Sequence, residues 1–225
     1  MRLAERCNGV LYPAGAVIGP LVIAGVALDE KKLPELVRLR VRDSKELSPR
    51  RREHLAKKIE TLAEDIVIVK VAACKIDKYR KEGINLNRLE ALKFGEILNF
   101  LKADKAYIDA PETPHKLKLF LEKLTGKKVK LVVEHKADTR YPIVGAASIV
   151  AKVTRDEVVE ELKKKYGDFG PGYPSNEITI KWMKEWSRKH KEFPECVRMS
   201  WETTKAIERE KAQRKLGKWL KGKSS

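Results

Sequence analysis

A chain of 225 residues can bury one substantial core with a small appendage, and its 49 Lys and Arg against 32 Asp and Glu leave a net charge of +17. An excess of that sign points to a polyanionic partner, nucleic acid first, although the density of charge, 36 % of residues, is also what a thermophile-like surface would show. Cys7, Cys74 and Cys196 are odd in number and far apart, which excludes a disulfide framework and a paired zinc motif and implies a reducing, cytoplasmic setting. His54, His115, His135 and His190 are scattered without ligand spacing, so no zinc site is assigned. The longest apolar stretch, Ala16 to Leu28, contains glycine and proline and falls well short of the ~20 residues that span a bilayer. Polar residues follow Met1-Arg2, where a signal peptide would be apolar.

Taken in order, Val10 to Tyr12 reads as a strand and Val17 to Leu28 as one or two more, with Gly19-Pro20 and Gly25 as bends or bulges. These segments pair as an antiparallel opening to the sheet. Leu33 to Val37 is a short helix, and Val41 to Leu47 is a loop holding Arg42, Ser44 and Lys45. Ser48-Pro49 starts a helix that runs to about Glu64. Its first turn carries Arg50-Arg51-Arg52, where the positive end of the helix dipole disfavours them; a functional cluster and a solvated face fit this pattern equally. Ile66 to Ala72 is a strand by β-branched content, and Asn87 to Leu101 is a helix with Leu89, Leu92, Ile97 and Leu101 near its apolar stripe. Ala106 to Ile108 is a short buried strand ending at Asp109, and Leu117, Phe120, Leu121 and Leu124 form a second helical stripe that Gly126 ends. Strands alternating with helices after a hairpin specify an α/β fold with a mixed sheet.

The stretch Leu131 to Tyr166 runs strand, polar connection, long helix. Val129 to Val133 is the strand, Glu134 to Tyr141 the connection, and Pro142 opens the helix, where its missing N–H has no intrahelical partner to lose. Gly145, Ala146, Ala147 and Ser148 let the first two turns lie close to whatever they cover, so those turns are expected to be buried. Ser148 and Lys152 share a face four residues apart. With Asp138 in the preceding loop they gather an acid, a hydroxyl and a cation at a strand end, as a phosphate-handling site would. Taken alone, Asp138 also fits a capping role for the helix near Pro142. Asp109 and Asp138 stand at the ends of two strands that suit neighbouring places in the sheet, and convergent carboxylates are what hard divalent cations require. Past Tyr166, Gly167 to Pro174 is a rigid loop, Ile178 to Lys189 a helix, and a strongly basic final helix starts at about Thr203.

Two of these segments, His135-Lys136-Ala137-Asp138 and Ala146 through Asp156, resemble the type 2 ribonucleases H, especially archaeal ones. Gly15 to Val22 resembles the family's first hairpin, Arg42 to Leu47 its Asp-Ser-Lys loop, Tyr107-Ile108-Asp109 the strand end with a metal-binding aspartate, and Gly170 to Ser175 its tyrosine loop. The resemblance implies a ribonuclease H-like mixed sheet flanked by helices, a catalytic domain over 1–204 and a basic helical tail over 205–225. It also implies Mg²⁺ or Mn²⁺ as cofactor. Asp109 and Asp138 would be the catalytic, metal-binding carboxylates, and Gly15, Ser44, Lys45, Ser148, Lys152 and Tyr173 would contact substrate, Tyr173 by stacking on a sugar. His135 takes a structural or phosphate-side role.

One segment departs from the family. At the end of the first strand relatives carry Asp-Glu-Ala-Gly-Arg-Gly, with two metal-binding carboxylates and a Gly-Arg-Gly that senses the ribose 2′-hydroxyl. Here the residues before Gly15 are Val10-Leu11-Tyr12-Pro13-Ala14, and Asn176 stands where relatives commonly have Asp. The implied function is an endonuclease that hydrolyses the RNA strand of RNA–DNA hybrids and incises at ribonucleotides embedded in DNA. The alternative is an impaired or silent member that binds hybrid duplexes. The implied partners are those duplexes, bound by a monomer, and a replication or repair protein reached through the C-terminal tail.

Overall fold

The computed structural model describes residues 6–11, 15–41, 47–101, 104–111, 113–126 and 129–222, with backbone alone for 6–11 and 215–222. The chain divides into two compact units, one of 1–13, 22–70 and 84–155, the other of 14–21, 71–83 and 156–225.

The first unit is a mixed five-stranded sheet with helices. β1 (Arg6–Leu11) lies at its centre, antiparallel to β2 (Leu21–Asp29) and parallel to β4 (Lys105–Asp109). β3 (Asp65–Val71) and β5 (Lys130–Glu134) form the edges, giving the order β3-β2-β1-β4-β5. β2 is buried from Leu21 to Leu28, the continuous apolar run of an interior strand. Gly25 makes neither a bend nor a bulge, contrary to the sequence reading: the strand passes straight through it. A Cβ there would lie 2.3 Å from Ile97 Cγ2 and 2.8 Å from Leu101 Cδ1. The glycine therefore serves the close approach of α4 (Leu86–Leu101).

The remaining helices of this unit follow local rules. α1 (Leu33–Arg38) is short, and α2 (Pro49–Leu62) starts where expected, Ser48 Oγ accepting the Arg51 N–H at 3.3 Å. Arg52 is partly absorbed by structure, since its guanidinium donates to the Leu47 carbonyl. α5 (Pro114–Leu124) links the parallel strands β4 and β5. The core packs Val22, Ala24, Val26 and Leu28 of β2 against Leu55 and Ile59 of α2 and Ile143 to Ala151 of α7 (Pro142–Tyr166).

The second unit is helical. Its core joins Val17, Ile18, Val159, Phe169, Met183, Cys196, Val197 and Ile207, drawn from the end of α7, α8 (Glu177–Lys189), α9 (Glu202–Gly222) and the segments between. Burial pushes the Cys196 thiol up to about 11, so it stays protonated at neutral pH. α3 (Ala73–Lys81) has no counterpart in the sequence reading. It is short and mostly charged, and what it buries includes an acid, Asp77, whose carboxylate accepts the N–H groups of Met199 and Ser200 at 2.8 and 2.9 Å. No apolar stripe announces such a helix. α9 is docked through its first turns, with Ile207 in the core and Lys211 Nζ donating to the His190 and Lys191 carbonyls at 2.8 and 2.9 Å. Packing thus extends beyond residue 204, where the sequence reading ends the domain. Among the described residues no helix is long and apolar enough to cross a membrane.

Candidate active site

β4 ends at Asp109 and β5 at Glu134, which face each other as register partners in adjacent parallel strands. After Glu134 the chain turns through Lys136, held at φ +55°, a left-handed conformation that a non-glycine residue adopts at a cost of about 1–2 kcal/mol. The turn delivers the Ala137 N–H to Asp109 Oδ1 at 2.9 Å and begins α6 (Ala137–Arg140), which carries Asp138. Asp109 and the turn bearing Asp138 are therefore joined directly, as the convergence of the two strand ends predicts. Asp138 is 1 % exposed. It sits inside its own helical turn, with three residues between it and the first turn of α7.

The sequence reading passed over Glu134, Arg140 and Tyr141. The Glu134 carboxylate accepts the Tyr141 hydroxyl at 2.9 Å and the Arg140 guanidinium at 2.8 Å. Both partners hold its carboxyl below the usual range, the tyrosine most strongly, while burial and then the carboxylate push the Tyr141 phenol up. The Tyr141 ring packs on Tyr107 with centroids 4.5 Å apart. Asp109 thus fixes the start of the α6 turn and Glu134 its end. The only sequence signal was their place in the polar stretch flanking Asp138. His135 has the structural role expected, its Nδ1 lying 3.2 Å from the Ala110 carbonyl, so that nitrogen carries the proton.

The first turns of α7 are buried as predicted, Ile143, Val144, Ala146 and Ala147 being at most 1 % exposed. A Cβ on Gly145 would stand 2.6 Å from the Val41 carbonyl oxygen and 3.3 Å from that of Asp138, so only glycine lets the helix seat beside the α6 turn. Ser148 is buried and Lys152 half-buried on the face they share. Ser44 and Lys45 lie outside the described residues.

In the second unit the structure brings Gly15 and the tyrosine loop together. Gly15 is exposed at φ +92°, and two residues on, the Val17 and Ile18 N–H groups both donate to the Gly172 carbonyl at 2.8 and 3.1 Å. Thr179, fully buried, organises the loop: its hydroxyl donates to the Phe169 carbonyl at 2.8 Å and accepts the Gly172 N–H at 3.2 Å. Asn176 Oδ1 accepts the Thr179 N–H at 3.2 Å and so caps α8, a task that the Asp common in relatives would also perform. Tyr173 is half-buried between Gly172 and Pro174. A groove beside it is lined by Lys181, Lys184 and Arg188 together with Glu177 and Glu185, and a second, sharing Lys184 and Arg188, adds Lys211, Arg214 and Glu210.

The model of the family described as ribonuclease HII matches residues 14–204. The chain belongs to the ribonuclease HII family. The ribonuclease HII of Pyrococcus furiosus is 44 % identical over 214 residues, 92 % of this chain and 94 % of that protein. The crystal structure of ribonuclease H2 from Pyrococcus horikoshii superposes with a TM-score of 0.87 at 40 % identity, covering 92 % of this chain and 99 % of that one. The Archaeoglobus fulgidus ribonuclease HII, solved in complex with PCNA, gives 0.83 at 41 %, covering 89 % and 96 %.

The family implies divalent cations, and the carboxylates of Asp109 and Asp138 are the oxygen donors that such ions prefer. They are too few. Among the described residues no group of three His, Cys, Asp or Glu is placed to hold a metal ion, whereas a pair of ions sharing the reacting phosphate needs more carboxylate oxygens than two side chains provide. The family match also starts at residue 14, just after Val10 to Pro13.

Proposed function

We propose that this ribonuclease HII homologue engages RNA–DNA hybrids and duplexes carrying single ribonucleotides, and that the reaction its fold is built for is endonucleolytic hydrolysis on the ribonucleotide strand. The observation that carries this reading is the Asp109–Ala137 hydrogen bond, which joins the strand-end carboxylate of Asp109 to the turn bearing Asp138, beside the buried start of α7, within a chain of this family. By resemblance Asp109 and Asp138 stand at the family's catalytic, metal-binding positions, where their oxygens would be ligands for one Mg²⁺ or Mn²⁺ ion. Ser148 and Lys152, with Ser44 and Lys45 by resemblance, contact phosphate. Gly15 approaches the backbone and Tyr173 stacks on a sugar. Such contacts position a duplex without reading its bases, and the 2′-hydroxyl distinguishes RNA from DNA. The chain works as a cytoplasmic monomer and, by analogy with the Archaeoglobus fulgidus complex, reaches PCNA through its C-terminal helix.

Titrating a labelled hybrid at rising salt tests the electrostatic part. Going from about 50 to about 200 mM is expected to weaken binding by on the order of 10²-fold or more, because Lys and Arg contacts release condensed counterions; a flat response would refute it. Truncation after Arg214 keeps the docked turns of α9. It should lower hybrid affinity more than the melting temperature, and equal loss of both would show that the last turns belong to the core.

A further inference from the structure

We infer that this chain holds hybrids without cutting them, because the central strand of its sheet brings no acid to Asp109. The inference rests on the hybrid-binding reading above. Val10 of β1 is the register partner of Ile108 in β4, so the chain passes Asp109 at Leu11 and continues into Tyr12-Pro13-Ala14. From Arg6 to Leu28, the central hairpin and its link short of the last residue of β2, the sequence contains neither Asp nor Glu.

The sheet's other acids stand elsewhere. Asp29 pairs with Arg6, and Glu64, just before Asp65, donates its N–H to the Ala27 carbonyl at 2.9 Å. The Asp104 backbone carbonyl accepts the Lys130 N–H at the start of β4 and β5. Asp29 and Asp104 therefore lie at the Arg6 end of the sheet, and Glu64 is held level with Asn8, three strand steps short of Leu11. Five strand steps of about 3.3 Å put that end roughly 16 Å from Leu11. Glu5, the nearest acid upstream, precedes Arg6, so sliding the register does not supply a ligand. At the Asp109 end Glu134 is committed to Tyr141 and Arg140. Among the described residues this leaves Asp109, one oxygen of which already takes the Ala137 N–H, and Asp138. A divalent cation takes about six oxygen ligands or more, and two such ions must share the reacting phosphate. One weakly held ion is the most this pair supports. A chain that binds hybrid and does not hydrolyse it shields the RNA strand from nucleases that do.

The test compares the full chain with a Val10→Asp/Leu11→Glu variant on a labelled RNA–DNA hybrid, in Mg²⁺ and separately in Mn²⁺. Binding is followed by anisotropy in the absence of metal. The unmodified chain should bind the hybrid yet cut no faster than its own Asp109→Asn variant, while the double variant binds comparably and cuts at least about 10³-fold faster, as removal or restoration of charge at a transition state predicts. Robust cutting by the unmodified chain, abolished by Asp109→Asn, would overturn the inference and show that an acid outside the described residues, Glu112 for one, completes the site. A double variant that melts normally and binds but does not cut would overturn it too. If the double variant fails to fold, protection decides: the unmodified chain should shield the hybrid from an active type 2 ribonuclease H in step with occupancy, and binding without protection refutes it. Failure to bind hybrid at all would instead remove the functional reading on which this inference stands.

Discussion

Around Tyr173 the described loop is held by hydrogen bonds on both sides, with Gly172 bonded through both its N–H and its carbonyl and Thr179 tying Phe169 and Gly172 of the loop to α8. At the end of β4 the scaffold is as closely fitted, with Gly145 against the Val41 carbonyl and the Ala137 N–H on Asp109, yet among the described residues it gathers no group of three side chains to hold a metal ion. The difference teaches that positioning and chemistry are separable. A sheet end keeps its geometry through backbone and packing alone, whereas a metal site needs specific oxygen atoms that packing does not demand. A strand accepts Val10 and Leu11 as readily as two acids, or more so.

The largest expected effect breaks the fitted scaffold. Gly145→Ala pushes a methyl group onto a backbone oxygen that cannot rotate away, and should cost about 2–3 kcal/mol or more; an unchanged urea midpoint would show that α7 seats loosely. Next, Thr179→Val leaves the Phe169 carbonyl and the Gly172 N–H without their buried partner, at about 1–3 kcal/mol. Thr179→Ser should restore most of that loss, and equal stability of the valine and serine variants would mean that the loop does not depend on the hydroxyl.

Smaller effects sharpen the other side of the comparison. The Glu134 carboxyl titrates below its unfolded value of about 4.3, so the stability it contributes is present above that pH and lost as pH falls through the lower folded value. Acid unfolding of the unmodified chain should therefore show a dependence below about pH 4.3 that Glu134→Gln lacks; identical profiles would show that the Tyr141 and Arg140 contacts are not maintained in solution. Asp109→Asn keeps an oxygen to accept the Ala137 N–H and should change stability by no more than about 0.5 kcal/mol. With a carboxylate removed, hybrid affinity in the absence of metal should hold or rise slightly, and a marked fall would show that Asp109 supports substrate by more than its charge.

By itself the sequence determined the periodic and punctuated parts of the molecule. The β-branched runs of β4 and β5, the stripes of α4 and α5, the Ser48-Pro49 start of α2 and the small residues opening α7 declare themselves because strand, helix and cap each impose a local pattern. Motif order along the chain singled out Asp109, Asp138, Ser148, Lys152 and Tyr173 as candidates, and the lack of acids just before Gly15 was plain to read. Only tertiary structure decided the rest. It showed that Gly25 admits a helix and makes no bend, that the mostly polar α3 is held by an acid bonding to Met199 and Ser200 across 122 and 123 positions of sequence, and that Glu134 fastens the turn bearing Asp138. It also set the register that runs β1 past Asp109 at Leu11, with Asp29, the one acid in the two strands of the central hairpin, at the opposite end. Such facts depend on which distant segments meet, and no local propensity records that.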